Sequence, residues 1–149
     1  MPKHKAVIYT NVMVSVAFAK EGLTKKLSDM IAEGVFILVT SKEILGEVYR
    51  VLHYPHILKR FTPSEDDIDE FIGMIIEHAL ITKGHYSIHK IEDDPTDNIF
   101  LDCALEAKAD YIVSRDKHLR NLKHFQGIEI VDLTTFLENI KKQDGNGHK

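Results

Sequence analysis

The chain has 149 residues, with 19 lysines and arginines against 23 aspartates and glutamates, for a formal net charge of −4. Apolar residues make up 44% and charged residues 28%, proportions that exclude a disordered chain or a long coiled coil and suit one domain of ~150 residues. The lone cysteine, Cys103, excludes an internal disulfide and a cysteine-built zinc site, and no apolar run approaches the ~20 residues that cross a bilayer.

Basic residues open the chain at Met1-Pro2-Lys3-His4-Lys5, but no hydrophobic core long enough for a signal peptide follows. The expectation is a soluble, cytoplasmic protein with no membrane partner. It has one domain over residues 1–142 and a polar tail over 143–149. The acidic balance argues against binding nucleic acid by bulk positive charge.

In chain order, Ala6-Val7-Ile8 reads as a short strand buried on both faces. Thr10-Asn11 offers a cap to an apolar segment through Phe18, and Gly22 breaks it. Leu23, Leu27, Met30 and Ile31 recur at helical spacing up to Gly34. Val35 to Val39 is a second apolar strand. Thr40-Ser41 caps a helix whose stripe is Ile44, Leu45, Val48, Val51 and Leu52, with Glu43, Glu47 and Arg50 at its edge.

Tyr54-Pro55 ends that helix, and His56 to Phe61 reads as a short helical turn. Ser64 with Asp67 resembles a capping box for a helix carrying Ile68, Phe71, Ile72, Ile75 and Ile76. Ala79 to Thr82 reads as a short strand and His85 to Lys90 as irregular. An acidic turn, Glu92 to Asn98, leads into a helix from Asn98 to Ala107. Tyr111 to Ser114 is a strand, Asp116 to Leu122 a short basic helix, Ile128 to Val131 a last strand and Leu133 to Ile140 a last helix. Short apolar strands joined by helices predict a three-layer α/β/α sandwich around a mainly parallel sheet.

Ligands of open α/β sheets bind at the carboxyl ends of the strands. Those ends carry Tyr9, Thr10 and Asn11; then Thr40 and Ser41, with Glu43 and Glu47 following; and Ser114 and Asp116. Asp93, Asp94, Asp97 and Asn98 precede a further helix. Carboxylates gathered in one place repel one another and accept a divalent cation, and oxygen donors favour Mg²⁺ or Mn²⁺. Such an ion activates water and stabilises phosphoryl displacement. Arg115, Lys117, Arg120 and Lys123, with His118 and His124, form a basic patch suited to a polyanion. The nine histidines hold no His-Glu-x-x-His motif, and no glycine-rich phosphate loop is present. Cys103 reads as a small core residue.

Val7-Ile8-Tyr9-Thr10-Asn11-Val12 resembles the opening strand and turn of PIN-domain ribonucleases, which normally carry Asp-Thr-Asn. Ser41 to Glu47, Asp94 to Ala104 and Ala109 to Leu119 resemble the three later motifs, in order. The likeness spans roughly residues 5 to 138 and is greatest to the toxin-like branch of prokaryotic toxin–antitoxin systems.

The resemblance implies a Mg²⁺- or Mn²⁺-dependent endoribonuclease acting on RNA. Glu47, Asp97 and Asp116 would be its catalytic acids and metal ligands. Asn98 is an alternative in the Asp97 position, and Asn11 and Ser114 are supporting groups. Arg115, Lys117 and Arg120 would contact RNA. It further implies a homodimer and an antitoxin partner. The departure is Tyr9, which replaces the family's first aspartate. A phenol with a pKa near ~10 is neutral at pH 7 and a poor Mg²⁺ ligand. Glu43 or Asp94 is a candidate replacement. Two readings stay open: a nuclease with a rearranged metal site, and a catalytically silent binding or assembly module.

Overall fold

Ala6, Val7 and Ile8 are all buried in strand β1 (Lys5–Ile8). Successive strand side chains point to opposite faces, so consecutive burial means that β1 is covered on both sides. The computed structural model describes residues 3–84, 95–116, 120–121 and 123–147, without the side chains of 95–97 and 142–147.

After β1 come helices α1 (Thr10–Ala17) and α2 (Gly22–Glu33), strand β2 (Ile37–Ser41), and helices α3 (Lys42–Leu52), α4 (Pro55–Phe61) and α5 (Glu65–His78). Strand β3 (Leu80–Thr82), helix α6 (Pro95–Ala107), strands β4 (Tyr111–Val113), β5 (His124–Phe125) and β6 (Ile128–Val131), and helix α7 (Leu133–Gly147) complete the chain. The sheet order is β3-β2-β1-β4-β6-β5. All neighbours run parallel except β5 and β6. This is the expected three-layer α/β/α arrangement. Helix α6 lies against β1 and β2, while α7 packs on β4 and α2. Phe100 of α6 and Phe136 of α7 are fully buried.

The chain steps from β1 to β2 and β3 on one side, then returns to place β4 on the other side of β1. Strand order therefore reverses beside β1, the crevice where sheets of this kind bind ligands. The register pairs Ile8 with Val113, so these two strands end together.

Several element bounds differ from the sequence reading, each for a local reason. Strand β2 spans Ile37–Ser41 rather than Val35 to Val39. Gly34 is left-handed (φ 70°) at the end of α2, and the Val35 N–H returns to the Met30 carbonyl at 3.1 Å. Val35 thus belongs to the turn. Thr40 and Ser41 are strand residues paired with Ile81 and Thr82. Helix α6 starts at Pro95, where proline suits the first helical turn.

Strand β5 was not expected. Two residues are too few for a periodic pattern, and the turn into β6 uses positive φ at Gln126 and Gly127. Helix α7 continues past Ile140 to Gly147. The capping box of α5 is present: Asp67 N–H donates to Ser64 Oγ at 3.0 Å, and Ser64 N–H to Asp67 Oδ2 at 2.9 Å. His85 to Lys90 and Asp94 lie outside the described residues, as does part of the expected helix over Asp116 to Leu122.

Candidate functional site

Tyr9 sits where β1 becomes α1, and its backbone is fully used. Its N–H donates to the Val113 carbonyl at 2.8 Å, which extends the β1–β4 ladder by one bond. Its own carbonyl accepts from Val12 and Met13 at 3.1 and 3.0 Å. Tyr9 is thus the N-cap of α1, yet its side chain caps nothing. The ring turns to the core instead and packs on Phe100, centroids 4.2 Å apart. A phenol has no acceptor on a stem short enough to reach the first helical N–H groups, whereas aspartate does.

Thr10, read from sequence as a cap, has another partner. Its buried hydroxyl donates a hydrogen bond to Glu47 Oε2. Helix α3 places Glu47 for this contact, and Ser41 fixes that helix's start by accepting from the Ile44 N–H at 3.2 Å. The Glu47 side chain is only 12% exposed. Its other oxygen faces the guanidinium of Arg50, one helical turn on, at 3.6 Å. That is beyond hydrogen-bond length, so the pair is held by charge alone.

On the neighbouring strand, Ser114 follows β4 and is fully buried. Its hydroxyl accepts from the Asp116 N–H at 3.0 Å, which bends the chain and holds Asp116 half-buried at the strand end. Asn98 is buried in α6. Asn11 is exposed in the first turn of α1. The backbone of Asp97 lies in the first turn of α6, and its side chain is outside the described residues.

Thus β1 and β4 end side by side: Tyr9 and Thr10 follow the first, with Glu47 bonded to Thr10, and Ser114 and Asp116 follow the second. Among the described residues no group of three or more His, Cys, Asp or Glu side chains is close enough to hold a metal ion. The donors present still suit a hard cation in kind. They are oxygen groups, and Mg²⁺ is commonly held by one or two carboxylates with water and substrate phosphate completing its shell.

Glu43 stands one helical turn before Glu47 on α3. It lines a cleft of about 270 Å³ with Ser41, Thr82, Asp102, Cys103 and Glu106, at the ends of β2 and β3. Burial there pushes the Cys103 thiol up to about 12, against a smaller opposing effect of the Thr82 hydroxyl. Such a thiol is unreactive at neutral pH. Of the expected RNA contacts, Arg115 is exposed, and Lys117 lies outside the described residues. Arg120 is engaged internally: NH2 donates to the Arg115 carbonyl at 3.3 Å and NH1 lies 3.7 Å from Asp132.

A family model described as PIN domain matches residues 5–118. The chain belongs to the PIN domain family. An uncharacterized protein of Methanocaldococcus jannaschii is 30% identical over 121 residues, covering 81% of this chain and 76% of that protein. Among solved structures, this PIN domain is similar to a chain in the crystal structure of VapBC2 from Rickettsia felis bound to a DNA fragment from their promoter. The TM-score is 0.53 at 10% identity, covering 85% of this PIN domain and 96% of that chain. At that identity the likeness is one of fold.

Sequence reasoning missed two parts of this PIN domain's site. Thr10 carried only a capping signal, because its Glu47 partner is 37 positions away. Arg50 stood at a helix edge, and only its three-residue offset from Glu47 hinted at the pairing.

Proposed function

We propose that this PIN domain is a metal-dependent endoribonuclease of the toxin-like branch, with a metal site weakened by Tyr9. The observation that carries the reading is the Thr10–Glu47 hydrogen bond. It holds a largely buried carboxylate at the end of β1, beside the strand end that bears Ser114 and Asp116.

In this reading Glu47, Asp97 and Asp116 hold Mg²⁺ or Mn²⁺, with Asn98 as an alternative at the Asp97 position. When bound, the ion supplies an activated water and stabilises the charge developing on the scissile phosphate. Thr10 orients Glu47, Ser114 positions Asp116, and Asn11 supports the first strand end. Arg115 and Lys117 contact the RNA backbone. Arg120, tied to the Arg115 carbonyl, adds its charge beside them. The same reading includes a homodimer, a cytoplasmic setting and an antitoxin partner. The VapBC2 assembly of Rickettsia felis, seen on promoter DNA, supports the partner by analogy of fold.

The test is cleavage of single-stranded RNA by highly purified protein. We expect slow cleavage that needs Mn²⁺ or Mg²⁺, stops with EDTA and falls at least about 100-fold in Asp116→Asn, in line with the weight of acid–base and electrostatic groups at such sites. Equal cleavage in EDTA refutes it.

A second reading, a catalytically silent PIN-fold binding or assembly module, is favoured by the seating of Tyr9 on Phe100. Its signature is the absence of any metal-dependent cleavage in the wild type and its appearance in Tyr9→Asp.

A further inference from the structure

Arg50 joins two facts that a surface helix pair does not need. Its partner Glu47 is only 12% exposed and already accepts the Thr10 hydroxyl, while the Arg50 side chain is 63% exposed. The guanidinium stands 3.6 Å from the carboxylate, so none of its five donors is committed to Glu47 by a hydrogen bond. It is therefore a cation held by charge beside Glu47, with most of its side chain open to solvent.

Such a group adds a cation beside Glu47 to the Arg115 and Lys117 of the reading above. A net acidic chain must bring a polyanion up to carboxylates. Of the expected basic contacts, Arg120 donates to the Arg115 carbonyl and its side chain is only 29% exposed, against 63% for Arg50. A planar guanidinium matches the paired oxygens of a phosphate better than it matches one distant carboxylate oxygen.

We propose that Arg50 is the residue that seats the substrate's phosphate next to Glu47. It holds the carboxylate's charge in the free protein and turns its donor edge to a phosphodiester of single-stranded RNA on binding. This rests on the endoribonuclease reading above and adds a substrate-binding residue to it.

The experiment measures binding of a fluorescent, non-cleavable single-stranded RNA in EDTA across a salt series, for wild type, Arg50→Ala and Arg50→Lys. Each phosphate neutralised on a single strand contributes about 0.7 to the slope of log K against log salt. We expect Arg50→Ala to bind roughly 5- to 10-fold more weakly, with its slope reduced by about 0.7. Arg50→Lys should restore the slope and part of the affinity. A merely structural helix pair would change the melting temperature and leave the slope alone, so an unchanged slope in a folded Arg50→Ala protein overturns the proposal. In that case metal-dependent cleavage by the wild type still stands as evidence for the nuclease reading. If the wild type neither binds nor cleaves RNA, both fall.

Discussion

Replacing Tyr9 by aspartate tests the site at its weakest point. The change removes the ring contact with Phe100, whose centroid lies 4.2 Å away. Such a contact contributes about 0.5–1.5 kcal/mol. Losing the burial of this half-buried ring costs roughly another 1 kcal/mol. Against this, Tyr9 is the N-cap of α1 and its side chain makes no cap bond. Aspartate at an N-cap returns about 1 kcal/mol. The metal-free variant is therefore destabilised by on the order of 0.5–1.5 kcal/mol, plus the repulsion between the new carboxylate and Glu47. A divalent cation reverses the sign of that repulsion. At an ion concentration ~100 times its dissociation constant, binding adds about 2.7 kcal/mol. For a chain of this length that raises the melting temperature by roughly 5–11 °C. The assay is thermal unfolding of wild type and Tyr9→Asp with Mn²⁺ and with EDTA. The variant should melt below the wild type in EDTA and gain much more from Mn²⁺. Equal Mn²⁺ shifts in the two proteins would refute the placement of residue 9 at the ion.

Thr10→Val keeps shape and removes the hydroxyl that serves Glu47. Hydrogen bonds to charged groups contribute about 1.5–3 kcal/mol, so urea unfolding should show a loss in that range, and a change below ~0.5 kcal/mol would contradict the contact. His53 offers a pH test. Its Nδ1 faces the Tyr49 carbonyl at 2.8 Å and its Nε2 the Glu65 carboxylate at 2.9 Å, two acceptors that favour the doubly protonated ring. The Tyr49 carbonyl first, then Glu65, raise its pKa above 6.5. A raised folded pKa means that the clasp's contribution is full below about pH 6.5 and is lost as pH rises through the higher folded pKa. Glu65→Gln should move the His53 titration seen by NMR back toward 6.5; an unmoved titration would show that the carboxylate takes no part.

Most of the sheet was legible because its signal is local. Ala6 to Ile8 and Ile128 to Val131 are apolar runs of strand length, and the Ser64–Asp67 box is written within four residues. What was not legible depends on distance. Strand β5 exists because His124 and Phe125 fold back on β6 through a positive-φ turn. The roles of Thr10 and Arg50 arise only when α3 is laid beside the end of β1. Conversely, the polar residues that blurred the pattern, Thr40, Ser41 and Ser114, are buried strand-end groups with work other than filling a core. Pattern fails where chemistry displaces packing. At position 9 the opposite holds: a ring that packs well stands where the family resemblance sets a charge.

The backbone of residue 9 carries the link between β1, β4 and α1, while its side chain carries none of it. Architecture and chemistry are separable at this position. Aspartate and tyrosine codons differ only in their first base. A lineage holding this fold is therefore one substitution away from gaining or losing a carboxylate, with no change to the strand pairing around it. Position 9 is a place where natural variation among relatives is expected to fall into two classes of activity on one unchanged scaffold.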